Sequence, residues 1–145
     1  MTTEHVGFLY AVGAAITWGL VYAIDQKILS SLSPFTLLFI DSFLAAVVML
    51  PFIFFSNDSI KSLFSSGWVN FALVVVSLLL ATLANFFIFS SIKILGASTA
   101  SIIEIAYPFF VVFFTYLFFR SALNIYFTIG GVLIFIGSVI IIKFG

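Results

Sequence analysis

The chain has 145 residues, of which 64% are hydrophobic and 7% charged, with a formal net charge of zero. Soluble domains carry about 25% charged residues, so this composition excludes an ordinary soluble fold, and the balanced charge excludes a basic nucleic-acid-binding surface. There is no cysteine and only one histidine, His5, which removes disulfides, thiol chemistry and His/Cys metal sites; neither a metal nor a cofactor is expected.

A span of about 20 apolar residues crosses a hydrocarbon core about 30 Å thick. Five runs qualify: residues 6–24, 34–55, 68–89, 97–119 and 122–142. The breaks fall at 25–33, 56–67, 90–96 and a tight turn near Arg120–Ser121. Unpaired backbone is forbidden in lipid. The predicted class is therefore all-α integral membrane: a five-transmembrane-helix bundle forming one domain over residues 1–145, each helix antiparallel to the next. The start, MTTEHVGFLY, lacks a basic leader segment, so the first span reads as retained rather than cleaved.

The first span carries Gly7, Ala11, Ala15 and Gly19 at four-residue spacing, a stripe of small residues that lets another helix approach closely. Trp18 and Tyr22 follow near its end, as interfacial anchors or as rings lining a cavity. The second span opens at Pro34, suited to a first helical turn, and contains Asp41. The third carries Ser77, Ala81, Ala84 and Asn85 on one face; Asn85 is the only amide inside a predicted span, with an interhelical hydrogen bond as its ordinary use.

The fourth span, GASTASIIEIAYPFFVVFFTYLFFR from Gly96 to Arg120, holds the second acid, Glu104. An acid in hydrocarbon costs roughly 2.5–3.5 kcal/mol on insertion scales, and is by default functional. Pro108 lies four residues on and has no N–H for the carbonyl of Glu104, so a kink and a free acceptor are expected one turn from the acid. Ala97, Ala100, Ser101, Glu104, Pro108, Val111 and Thr115 would share a small, polar face. Tyr107 adjoins it. Glu104 then binds a proton or cation in a cavity, or serves as a packing hydrogen-bond group. The fifth span places Gly130 and Gly137 seven apart on one stripe, for contact within the chain or between subunits.

Asp41 and Glu104 both lie about seven residues inside spans that start on the same side, roughly 10 Å deep at 1.5 Å per residue. Lys27, Lys61, Lys93, Arg120 and Lys143 all stand at span ends, so neither acid has a buried counter-charge. Desolvation and a neighbouring acid disfavour ionisation. Such a pair is expected to hold protons and release them to a substrate or to water when the cavity opens. Lys27, Lys93 and Lys143 fall on one side, Lys61 and Arg120 on the other. Positive-inside counting makes the first side cytoplasmic by a single charge, a bias small enough to permit both orientations.

The order of these features resembles the drug/metabolite transporter superfamily, and more narrowly a single EamA-type domain, over nearly the whole chain. The resemblance is carried by Trp18–Gly19 within AAITWGLVYAIDQKIL, by the small residues before a mid-helix proline (Ala97 to Pro108), and by Gly130, Leu133, Ile134 and Gly137 of GGVLIFIGSVIII. It departs at Asp41, where the family often has a basic residue. It departs again at Phe119–Ser121, where a Gly-Glu pair often stands, and in having one five-helix unit where members often fuse two. The resemblance implies one half of an inverted-repeat transporter, carrying a small organic solute across the cytoplasmic (inner) membrane as a multi-pass protein. An odd number of spans inverts each repeat relative to the next. A lone unit is thus expected to work as an antiparallel homodimer, or with another five-helix chain. The related small multidrug resistance carriers have two glycines seven apart in their dimerising helix, which Gly130 and Gly137 resemble.

The expected function is proton-coupled secondary transport, with Glu104, Asp41, Trp18, Asn85, Tyr107, Ser101 and Pro108 at the substrate and proton site. The expected partners are the solute, protons, the lipid bilayer and a second chain, with no nucleic acid. The alternative is a non-transporting membrane subunit or scaffold. An enzyme is not expected: the GxGD of intramembrane aspartyl proteases is missing, and no Ser–His pair lies inside the spans. One Asp and one Glu do not define the selectivity ring of a channel.

Overall fold

The computed structural model describes residues 3–55, 65, 67–120 and 125–144. These form six helices: α1 (Thr3–Leu29), α2 (Pro34–Phe55), α3 (Trp68–Leu95), α4 (Ala97–Glu104), α5 (Tyr107–Phe119) and α6 (Ile125–Phe144). Five stretches are long and apolar enough to cross a membrane, the fourth being α4 and α5 together. Among the described residues there is no strand. Phe, Leu, Ile and Val side chains are exposed along every span, as the lipid-facing surface of a membrane bundle requires. Most of the 56–67 break and the predicted start of the fifth span at 122–124 lie outside the described residues.

Two helices run further than hydropathy alone indicates. α1 passes through Asp25, Gln26 and Lys27 to Leu29, and α3 passes through Ser90, Ser91 and Lys93 to Leu95. Polarity marks where a chain leaves hydrocarbon, not where its backbone stops being helical, and Gln and Lys are good helix formers. The connection between α3 and α4 is thereby reduced to Gly96. Its φ of 82° and ψ of 158° lie in a region open almost only to glycine.

The chain divides into two compact units, one running up to Gln26 and resuming at Ser91, the other comprising Lys27 to Ser90. In the second unit, Ser33 caps α2: its Oγ accepts the N–H of Thr36 at 3.1 Å and hydrogen-bonds the Thr36 hydroxyl at 2.8 Å, with Pro34 as the first helical residue. Phe35 stacks on Phe86 at 4.4 Å between centroids, tying α2 to α3. Leu29, Leu37 and Phe89 are its buried apolar residues.

In the first unit, α6 packs on α4 and α5. Ser138, 5% exposed, shares its hydroxyl proton between the carbonyls of Ile102 and Ile134, each at 3.0 Å. It is thus a polar fastener between α6 and α4 inside apolar surroundings. The close helix approach falls on Gly131, where an added Cβ would stand 3.7 Å from the ring of Phe109. At Gly130 and Gly137 an added Cβ would meet nothing within 4 Å, and the same holds for Gly7 and Gly19 of α1. Ala11 and Ala15 are likewise exposed.

The N-terminus of α4 is capped from a distance. The Gln26 Oε1 of α1 accepts the N–H of Ala97 at 2.6 Å, satisfying one of the donors that every helix start leaves without an intrahelical acceptor. Gln26→Ala is expected to cost about 1 kcal/mol, the usual worth of a lost cap. Equilibrium unfolding in mixed micelles measures it, and Gln26→Glu, which keeps an acceptor, should recover most of the loss.

Candidate functional site

The fourth span is interrupted where the proline predicts. α4 ends at Glu104 and α5 begins at Tyr107 with Pro108 in its first turn. The Ile105 N–H still reaches back four residues to Ser101 at 3.0 Å, but the Ala106 N–H reaches only three, to Ile103 at 3.3 Å. A tightened turn of this kind is how a helix closes when the next regular donor is missing. The break places Glu104 as the last residue of a short helix, with its carboxyl beside a discontinuity in the backbone.

The small face of α4 is turned inward. Ala97 and Ala100 are buried at 8% and 1% exposure, and Ser101 and Glu104 are half-buried. The Ser101 hydroxyl is spent on the carbonyl of Ser98 at 3.0 Å. Beyond the break Pro108 and Thr115 are half-buried and Val111 is exposed.

The partner of Glu104 within this unit is Tyr22 of α1, whose hydroxyl donates to Oε2 at 2.7 Å. Four residues along the same face of α1, Gln26 holds the start of α4. Two hydrogen bonds thus clasp the second half of α1 along the length of α4. The Tyr22 ring also packs against Trp18, with centroids 5.6 Å apart and planes tilted 52°. Trp18 and Tyr107 are both more than half exposed. Asp25, Glu104 and Tyr107 all act electrostatically on the Tyr22 hydroxyl. Asp25 is buried at 5% exposure.

Of the residues singled out from sequence, Glu104, Trp18, Tyr107, Ser101 and Pro108 belong to this unit. Asp41 on α2, exposed, and Asn85 on α3, half-buried, belong to the other. Two residues carry more than the sequence reading gave them. Tyr22 stood out there only as an aromatic near a span end. Asp25 fell in a presumed break because a charged residue ends an apolar run; the signal that retrieves it is spacing, since Trp18, Tyr22 and Asp25 recur at helical intervals of four and three. Two apolar hollows of about 160 and 340 Å³ lie between α5 and α6, bordered by Phe109, Val112 and Phe127 in one and by Pro108, Gly130 and Gly131 in the other. Neither is lined by Glu104.

Helices throughout the described residues, with five stretches long and apolar enough to span, define a polytopic membrane protein, and one of its spans carries a hydrogen-bonded acid at a helix break. Comparison of the sequence with family descriptions matches the EamA-like transporter family over residues 5–143, nearly the whole chain, and the protein belongs to that family. It is therefore a membrane transporter of small solutes, in a family of transporters rather than enzymes. No curated protein and no solved structure matches the sequence.

Proposed function

We propose that the protein is a proton-coupled secondary transporter in which Glu104 binds the proton and a small organic solute in alternation. The observation that carries this reading is the 2.7 Å hydrogen bond from Tyr22 to Glu104, made at the point where the fourth span breaks. A carboxyl within hydrocarbon is costly, and one held at a helix discontinuity sits where transporters build ion sites from interrupted helices. Tyr22 supplies a donor for the carboxylate, and the exposed rings of Trp18 and Tyr107 beside it supply apolar and ring-face contacts for a solute.

The scheme places the protein in the cytoplasmic membrane as an antiparallel pair, each copy providing one wall of the cavity. What supports the pairing is the weak charge asymmetry of the loops, the odd number of spans, five, among the described residues, and the open space beside Gly130 and Gly137 on α6. Because the chain has no cysteine, introduced cysteines report without background. Phe127→Cys and Ile141→Cys lie near opposite ends of α6. In membranes containing both variants, antiparallel pairs join residue 127 of one copy to residue 141 of the other. Crosslinks only between like positions would contradict the arrangement.

The transport reading is tested in proteoliposomes, with a panel of amine and neutral metabolites under an imposed pH gradient. Gradient-driven accumulation of at least one solute supports it. Only gradient-independent equilibration across the whole panel would leave proton coupling without support.

A further inference from the structure

The two apolar hollows between α5 and α6 play no part in the site around Glu104. They share Val112 and Phe127 as walls, and so form one groove. Its character changes along its length. The inner part is bordered by Pro108, Gly130, Gly131 and Ile134, none of which has a polar side chain. The hydroxyl-bearing residues, Tyr116, Tyr126 and Thr128, stand toward the end where α5 finishes and α6 begins. Arg120 follows there, one turn beyond Tyr116, whose carbonyl accepts its N–H at 2.9 Å. Arg120 is exposed, and among the described residues no hydrogen bond or ion pair holds its guanidinium. Its φ of 51° is left-handed. Glycine usually closes a helix in this conformation, because a Cβ is costly there, so a long basic side chain at this place points to a use for its charge.

We propose that this groove holds an anionic phospholipid of the surrounding bilayer, with one acyl chain along Val112 and Phe127 and the phosphate at Arg120. The length fits. From Pro108 to Arg120 the chain rises about 18 Å at 1.5 Å per residue, close to one leaflet of a hydrocarbon core about 30 Å thick. An acyl chain entering beside Arg120 thus reaches the break of the fourth span while still in the groove. The access fits as well: Phe109, Phe113 and Phe127 are 44%, 52% and 67% exposed, so the groove opens sideways onto lipid. At the mouth, a guanidinium matches the oxygens of a phosphate, and tyrosine hydroxyls sit naturally at headgroup level. A polar solute is a poorer occupant, because no carboxylate, amine or amide borders the groove. A helix of a second copy would cover the inner hollow and leave the charge of Arg120 unanswered. The proposal stands apart from the transport reading, since neither Glu104 nor Tyr22 lines the groove.

The test uses the whole protein in phosphatidylcholine bilayers carrying a trace of lipid spin-labelled on an acyl chain. Electron paramagnetic resonance measures the immobilised share of the label, with phosphatidylglycerol and phosphatidylcholine as labelled probes in turn. Wild-type protein should favour phosphatidylglycerol about fivefold, the worth of one basic residue beside an anionic lipid. Arg120→Lys should keep most of that preference. Arg120→Asn, whose side chain tolerates the left-handed conformation, should bring it close to none. Thr128→Trp, which fills the hollow and leaves Arg120 in place, should release the immobilised chain. A cation also suits a helix C-terminus; if that were its whole role, Arg120→Asn would lose stability and keep the lipid preference, which overturns the proposal. Equal immobilisation of the two lipids by wild type overturns it too, as does a preference that survives Thr128→Trp, which would assign the charge to lipid around the whole perimeter. No immobilised lipid, together with a disulfide between copies of Thr128→Cys, would seat a second chain in the groove instead. Where Arg120→Asn does not fold, ionic strength carries the test: the wild-type preference should fall as salt rises, and a preference indifferent to salt overturns the proposal.

Discussion

Glu104→Gln is expected to abolish accumulation driven by a pH gradient while leaving the protein folded. Glutamine matches glutamate in volume and keeps an oxygen to accept the Tyr22 hydroxyl, now at 2.7 Å, so the clasp between α1 and α4 persists. What it cannot do is take up and release a proton. A gradient of one pH unit is worth about 1.4 kcal/mol, a tenfold ratio for one-to-one exchange. Wild-type protein in proteoliposomes should approach that ratio for its solute, and Glu104→Gln should show none. Glu104→Ala is a harsher change, because it leaves the buried side of the Tyr22 hydroxyl without an acceptor at about 1–3 kcal/mol. A pair of variants in which Gln is as stable as wild type and Ala is not would separate the proton-carrying role of Glu104 from its packing role. Both losing stability equally would mean that the carboxyl itself, not its shape, holds the helices together.

The second large effect belongs to Gly96. Its φ of 82° and ψ of 158° are strained for any residue with a Cβ, at about 1–3 kcal/mol. An added Cβ would stand 3.5 Å from Gln26 Oε1, an ordinary contact, so the cost of Gly96→Ala is conformational rather than steric. It falls on the one residue between α3 and α4. Relief by a change in backbone angles would swing the start of α4 and pull the Ala97 N–H off Gln26. Gly96→Ala should therefore lower stability by about 1–3 kcal/mol in micelle unfolding. Combined with Gln26→Ala it should cost less than the sum of the two single changes, because the first already disturbs the hydrogen bond that the second removes.

How far this architecture is legible from the chain depends on the physical signal. The spans follow from apolar runs of membrane-crossing length, because nothing else accommodates such runs. The interruption near Glu104 follows from Pro108, since a missing donor acts locally. Helix ends were less legible. Asp25 and Ser90 end apolar runs, yet α1 and α3 continue past them to Leu29 and Leu95, because backbone helicity does not stop at the hydrocarbon boundary. The contacts of the site were least legible. Tyr22 and Glu104 are 82 positions apart, and Gln26 and Ala97 are 71; no local pattern marks such pairs in a single sequence. The same holds for the glycine at the close approach. Gly130 and Gly131 are adjacent in the chain, and only the placement of Phe109 makes the second of them the contact.

The central claim is that Glu104 carries a proton that the solute displaces. Purified protein in detergent, weakly buffered and exposed in turn to a panel of cationic and neutral metabolites, measures this without vesicles or gradients. The account predicts proton release on adding the right solute to wild-type protein and none from Glu104→Gln at equal stability. Equal release from both proteins, or release from neither across the panel, would contradict it and return Glu104 to a packing role in a membrane subunit.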